Sequence, residues 1–115
     1  MSAFVYLFRG GARPESPAGT QQQMQKWVAW MKELGEKGHL KDPGQPLLPS
    51  GKVVKGKGAQ KAVTDGPFAE AKDIVGGYML VEARDLDQAV ELSHGCPVFD
   101  IDGGVEIRPV MQLPA

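Results

Sequence analysis

The sequence predicts an α+β domain: a split β-α-β sheet of the ferredoxin-like type with extra hairpin strands and two helices on one face. Three observations carry this. Ala3 to Phe8 and the second half of Ile74 to Ala83 are apolar on both parities, the pattern of strands covered on both faces. Two other stretches repeat apolar residues at helical spacing, and the order strand, helix, hairpin, strand, helix, strand matches such a sheet.

The first strand points Phe4, Tyr6 and Phe8 one way and Ala3, Val5 and Leu7 the other. Arg9 to Ala18, with Gly10-Gly11, Pro14, Ser16 and Pro17, reads as a loop. Thr20 with Gln23 has the form of a capping box that opens a helix. Its apolar stripe is Met24, Trp27, Val28, Met31 and Leu34, with Trp30 at the edge, and Gly38 is the residue that ends it. From Leu40 to Ser50, Pro43, Pro46 and Pro49 forbid a helix, leaving an extended loop or an irregular edge strand. Lys52 to Lys55 and Gln60 to Val63, with Gly56 and Gly58 at the turn, suggest a hairpin. Asp65-Gly66-Pro67-Phe68 then breaks the pattern. Asp85 with Gln88 opens a second helix, whose inward stripe is Leu86, Ala89, Val90 and Ser93; Gly95 and Pro97 end it. Val105 to Val110 is the last strand.

Two helices cover only one sheet face, and a homodimer joined sheet to sheet is the simplest cover for the other. The 115 residues, 42% hydrophobic and 23% charged, suit one domain spanning 1–115. A chain of this size buries about two-thirds of its unfolded surface, enough for a core without staples. One cysteine, Cys96, excludes an internal disulfide. A net charge of -1 gives no general attraction to nucleic acid, and no apolar run approaches a membrane span. The first strand has no basic stretch before it and no small-residue cleavage site after it, so the expected location is cytoplasmic.

The run Val63-Thr64-Asp65-Gly66-Pro67-Phe68-Ala69-Glu70-Ala71-Lys72, followed by Val75-Gly76-Gly77-Tyr78, closely resembles the signature of the YCII-related, DGPF-domain family. The resemblance extends through the helix with Met24, Trp27 and Trp30, the Gly38-His39-Leu40 exit and the terminal Gly104 to Pro109. It implies a ferredoxin-like protein forming dimers of the dimeric α/β-barrel kind, with a cleft between sheet and helices. In fold that superfamily is similar to muconolactone isomerases and antibiotic-biosynthesis monooxygenases. It also implies a link to extracytoplasmic-function sigma factors, with which many members are associated, and some members are labelled transcription-initiation proteins. Smaller YCII-type members resemble enzymes with a His-Asp pair in the cleft. Here Trp27 stands at the histidine position and Cys96-Pro97 at the Asp-Pro, so that pair does not carry over.

Asp65 is the leading candidate for a proton acceptor, because a Gly-Pro turn could aim it stiffly into the cleft. The same residue before Gly-Pro is also a turn former. Phe68 is a cleft or core aromatic, and Glu70 and Lys72 are either polar contacts or a solvated face. Trp27 and Trp30 would suit a planar aromatic ligand by stacking, with core packing the alternative. Tyr78, beside Gly76-Gly77, could bond a substrate oxygen. Arg108 could pair with a ligand carboxylate, or with Glu106, Glu82 or a dimer mate. His94, Cys96, Asp100 and Asp102 group locally without diagnostic spacing, and a buried inert thiol is the expectation for Cys96. His39 and His94 are too far apart in sequence for zinc, so no metal and no cofactor is expected. Lys52, Lys55, Lys57 and Lys61, the last three on one parity, read as protection of an edge strand rather than a phosphate surface.

Two functions remain open on these residues. One is a homodimer whose cleft, lined by Trp27, Asp65, Phe68 and Tyr78, binds or transforms a small, partly aromatic metabolite without cofactor. The other is a non-catalytic regulatory or interaction protein with a sigma-factor link.

Overall fold

A computed structural model describes residues 1–12, 16–66 and 73–114. Phe68, Glu70 and Lys72 lie outside them. The elements are β1 (Ser2–Gly10), α1 (Pro17–Glu36), β2 (Leu40–Asp42), β3 (Gly51–Lys57), β4 (Gln60–Gly66), β5 (Val75–Ala83), α2 (Leu86–Ser93), a 3-10 turn (Pro97–Ile101) and β6 (Gly103–Pro109). Four of the strands form an antiparallel sheet in the order β2-β5-β1-β6, and β3 and β4 form a sheet of their own. The expected α+β architecture is present. The extra hairpin strands stand apart from the main sheet instead of extending it.

The two both-parity strands, β1 and β5, pair centrally, Phe4 opposite Val81 and Tyr6 opposite Met79. Phe4, Tyr6, Phe8, Met79, Val81 and Ala83 are buried on the face covered by the helices. On the other face Val5, Leu7 and Leu80 are only half-buried, and Tyr78 is 38% exposed. The prolines after Leu40 act as expected. β2 is a three-residue edge strand, and Pro46 makes a single bridge to Gly77 further along.

α1 begins earlier than the capping-box pattern indicates. Ser16 is the N-cap, accepting from the Gly19 N–H at 3.0 Å, with Pro17 in the first turn; Thr20 already lies inside, its hydroxyl donating to the Ser16 carbonyl at 3.1 Å. Proline suits the first helical position because its missing N–H has no helical partner there. At the other end Gly38, at φ +78°, donates to the Gly35 carbonyl while His39 donates to the Leu34 carbonyl, closing the helix as expected.

The stripe of α1 is also rotated from its expected phase. Trp30 and Leu34 are buried, Trp27 and Met31 half-buried, and Met24 and Val28 are 62% and 59% exposed. Trp30 therefore sits at the centre of the buried face, not its edge. α2 shows a similar shift: Ala89 and Ser93 are buried, whereas Leu86 and Val90 are exposed. Its cap is as expected, with the Asp85 carboxylate accepting from the Gln88 N–H at 2.8 Å.

The layers are clamped by two aromatic residues that have polar ends. Tyr6 stacks on Trp30 with centroids 6.1 Å apart and planes 14° from parallel. The Tyr6 hydroxyl donates to the Ala89 carbonyl at 2.5 Å, and Trp30 Nε1 donates to the Leu92 carbonyl at 3.3 Å. Both bonds end on α2, so strand, long helix and short helix are held through one stacked pair. Removing the hydroxyl leaves a buried carbonyl short of a partner, which costs about 1–3 kcal/mol. Tyr6→Phe is expected to lower the unfolding free energy in urea by that amount without changing the slope of the transition. A loss within measurement error would show that the bond contributes nothing.

Candidate functional site

The sheet end at which β1 leaves the core carries the irregularity a site needs. The β1–β5 register slips between Phe8 and Arg9, so Phe8 faces the helices while Arg9 stands opposite Val75 on the other side. Bulges of this kind re-aim side chains and recur beside active sites. On the helix side, Phe8 meets Trp27 edge to face at 4.8 Å and Trp30 at 6.2 Å, so an aromatic row runs from buried Tyr6 out to half-buried Trp27.

On the far side Arg9 donates from Nε to the Asp73 carbonyl at 3.1 Å and pairs with Glu106 at 2.5 Å. It borders an open hollow of about 350 Å³ at the foot of the hairpin, which Leu48, Lys52, Val53, Asp73 and Val75 also line. Lys52 pairs in turn with Asp65 across the hairpin. Asp65 is the next-to-last residue of β4, which ends at Gly66 where the sequence pattern breaks, and its side chain is 88% exposed. The cationic groups that could receive an anionic oxygen are thus Arg9 and Lys52, and the Asp65 carboxylate reaches the hollow only through its pair with Lys52.

The other sequence candidates are distributed over the molecule. Trp30 is 5% exposed and occupied in the core. Tyr78 and Arg108 share the open sheet face, one register step apart: Tyr78 is opposite Leu7 and Arg108 opposite Val5. Trp27 is on the opposite side of the sheet from Tyr78. No single surface of the chain therefore joins Trp27, Asp65 and Tyr78. Phe68 lies outside the described residues. Arg9 follows the apolar strand directly, where the sequence reads as the start of a loop, so nothing in its spacing points to the hollow. Lys52 was grouped with the other lysines; the pairing Lys52↔Asp65 becomes visible only with the hairpin register.

The His94-Cys96 grouping borders a second groove of about 380 Å³, which Lys26, Trp30, Glu33 and Asp100 also line. Cys96 is 3% exposed, and its sulfur accepts from the Val98 N–H at 3.5 Å. Burial pushes its thiol up to about 12, the Val98 bond opposing and the Asp100 charge adding to the rise. Burial likewise raises the Tyr6 hydroxyl well above its ordinary value. Among the described residues no group of three or more His, Cys, Asp or Glu could hold a metal ion. None of the described helices is long and apolar enough to cross a membrane.

The thiol makes a pH prediction. A folded-state value above the ordinary 9.0 means that the folded chain keeps a proton the unfolded chain releases. Stability is then full below about pH 9 and falls as the pH rises toward 12. Cys96→Ala is expected to reduce this alkaline loss in melting temperature, leaving the part that the raised Tyr6 hydroxyl contributes above pH 10, and the native thiol to react with an aromatic disulfide reagent only as fast as the chain opens. Rapid reaction of the folded protein at pH 8 would contradict a buried thiol.

Comparisons with known proteins agree with this architecture. The family model for the YCII-related domain matches residues 5–114. Among solved structures the chain is similar to 5-chloro-2-hydroxyhydroquinone dehydrochlorinase (TftG) from Burkholderia phenoliruptrix AC1100, in complex with 2,5-dihydroxybenzoquinone. The TM-score is 0.53 and the identity 19%, over 95% of this chain and 93% of that chain, a likeness of fold. No curated protein matches the chain in sequence.

Proposed function

This chain belongs to the YCII-related family, and we propose that it is a cytoplasmic homodimer that binds a small, planar, oxygenated aromatic metabolite at the foot of its hairpin and transforms it by cofactor-free acid-base chemistry. The observation that carries the reading is the hollow beside the β1 bulge, where Arg9 and Lys52 flank an apolar wall of Leu48, Val53 and Val75. Such a wall suits a flat ring. The two cations suit the oxygens of a phenolate, hydroxyquinone or carboxylate. Asp65, held beside Lys52, is the proton acceptor in this reading, and releasing Lys52 to the ligand would free it to act.

Tyr78 and Arg108 enter the proposal as contacts made once the dimer is formed, and Phe68 as a further aromatic contact from the segment after β4, while Trp27, on the helix side, stays a packing residue. A second sheet laid on the half-buried Val5, Leu7 and Leu80 would place Tyr78 and Arg108 between two chains. The similar dehydrochlorinase was solved with a dihydroxybenzoquinone, a ring of this class. That supports the choice of probes.

The test is thermal unfolding of the protein with hydroxyquinones, hydroquinones and hydroxybenzoates, with mass detection of any product. A ligand at a hundred times its dissociation constant contributes about 2.7 kcal/mol. A rise of several degrees is expected for the wild type and little or none for Asp65→Asn or Lys52→Gln. Both residues are exposed, so the unliganded variants should melt close to the wild type. If no probe shifts the wild type, or the variants respond like it, this site is wrong. The alternative of a non-catalytic protein linked to sigma factors anticipates no ligand response at all.

A further inference from the structure

We propose that the β3–β4 hairpin is an arm that grips a second copy of this chain. The proposal rests on the homodimer of the preceding reading but not on its ligand. Gly51 to Gly66 form a ladder closed by a two-residue turn at Gly58-Ala59, and across it only Val53 and Gly66 are even half-buried. Among the described residues the arm makes no extended contact with the four-stranded sheet or with either helix. Seven residues of strand carry its tip about 23 Å from its foot. A lone two-stranded hairpin is marginal in water, so an arm of this length needs a surface to lie on.

Register and charge indicate that surface. Val54 stands opposite Val63, 58% and 63% exposed, on one face with Lys52, Lys61 and Asp65. Lys55 and Lys57 are on the other face, so Lys61 does not share their side as the parity of the sequence suggested. The arm's shape is specified near its tip. Gly56 has φ +150°, and a Cβ there would lie 1.9 Å from the Gln60 carbonyl oxygen, so only glycine permits this close coiling of the strands. Four lysines against one aspartate give the arm a net charge of +3; with the whole chain at -1, the remainder carries -4.

A basic arm with a valine pair on one face is therefore complementary to the acidic body of another copy. The lysines along both strands discourage pairing edge to edge. The contact is instead between the arm's faces and the partner's surface, and a two-fold arrangement lets each copy give and receive one arm.

Sedimentation velocity across a concentration series tests this with two variants, Val54→Ser with Val63→Ser, and Lys55→Glu with Lys57→Glu and Lys61→Glu. Each should weaken the dimer at least about tenfold, with secondary structure unchanged because every altered side chain is exposed. A benzophenone placed on Ala59→Cys, where buried Cys96 stays unlabelled, should cross-link at dimer mass. If the wild type dimerises and both variants dimerise equally well, the arm proposal falls and the dimer stands. If the wild type is monomeric throughout, both fall, while the ligand assay still judges the hairpin hollow alone. Cross-links confined to the arm's own chain overturn it, as does a monomer whose arm lysines bind a polyanion.

Discussion

The stacking of Tyr6 on Trp30, with both polar ends bonded to α2, is the contact on which the rest of the structure depends. Each ring buries a large apolar area, and each polar atom needs a partner once it leaves water. α2 supplies both. Leu92 is near its C-terminus, where carbonyls lack helical partners, so the indole N–H satisfies a group the helix cannot satisfy itself. A helix of eight residues has little stability alone. Its attachment to β1 and α1 through one aromatic pair fixes its place, and with it the turn that carries buried Cys96.

That arrangement decides which face of the sheet is closed. The helices occupy the side of Tyr6, so the alternate residues Val5, Leu7, Tyr78 and Leu80 are left to the other side. The polar groups of the open face sit around this apolar centre: Arg9 with Glu106, Lys41 with Glu82, and Arg108. These exposed pairs contribute little to stability. They suit a surface that meets something else.

The sequence made the order of elements legible, because β1 and β5 are apolar on both parities and the turns are dense in Gly and Pro. It was less informative about phase. α1 has more apolar residues than one face can bury, and spacing cannot decide whether Met24 and Val28 or Trp30 face inward. The decision comes from tertiary chemistry: Trp30 has Tyr6 to stack on and a carbonyl for its N–H, whereas Met24 has neither. The helix start was missed for a related reason. Ser16-Pro17 is loop chemistry and a helix N-terminus at once, and the Thr20-Gln23 pattern lay just inside. Of the candidate site, Asp65 and the lysines were visible as residue types. That Lys52 shares a hollow with Arg9 and a pair with Asp65 was not, since it depends on the hairpin register and on a one-residue slip in β1.

The DGPF stretch sharpens the distinction between folding and function. Two of its glycines have geometric reasons. A Cβ on Gly66 would lie 2.5 Å from Val53 Cγ2, and one on Gly77 would lie 3.2 Å from the Gln45 carbonyl oxygen, where the Pro46 strand crosses β5. Val63 faces Val54 across the arm. Asp65 differs from these. Its pair with Lys52 is too exposed to hold the hairpin together. Asp65 thus stands in β4 as an exposed partner of Lys52, and it is Lys52 that lines the hollow beside Arg9.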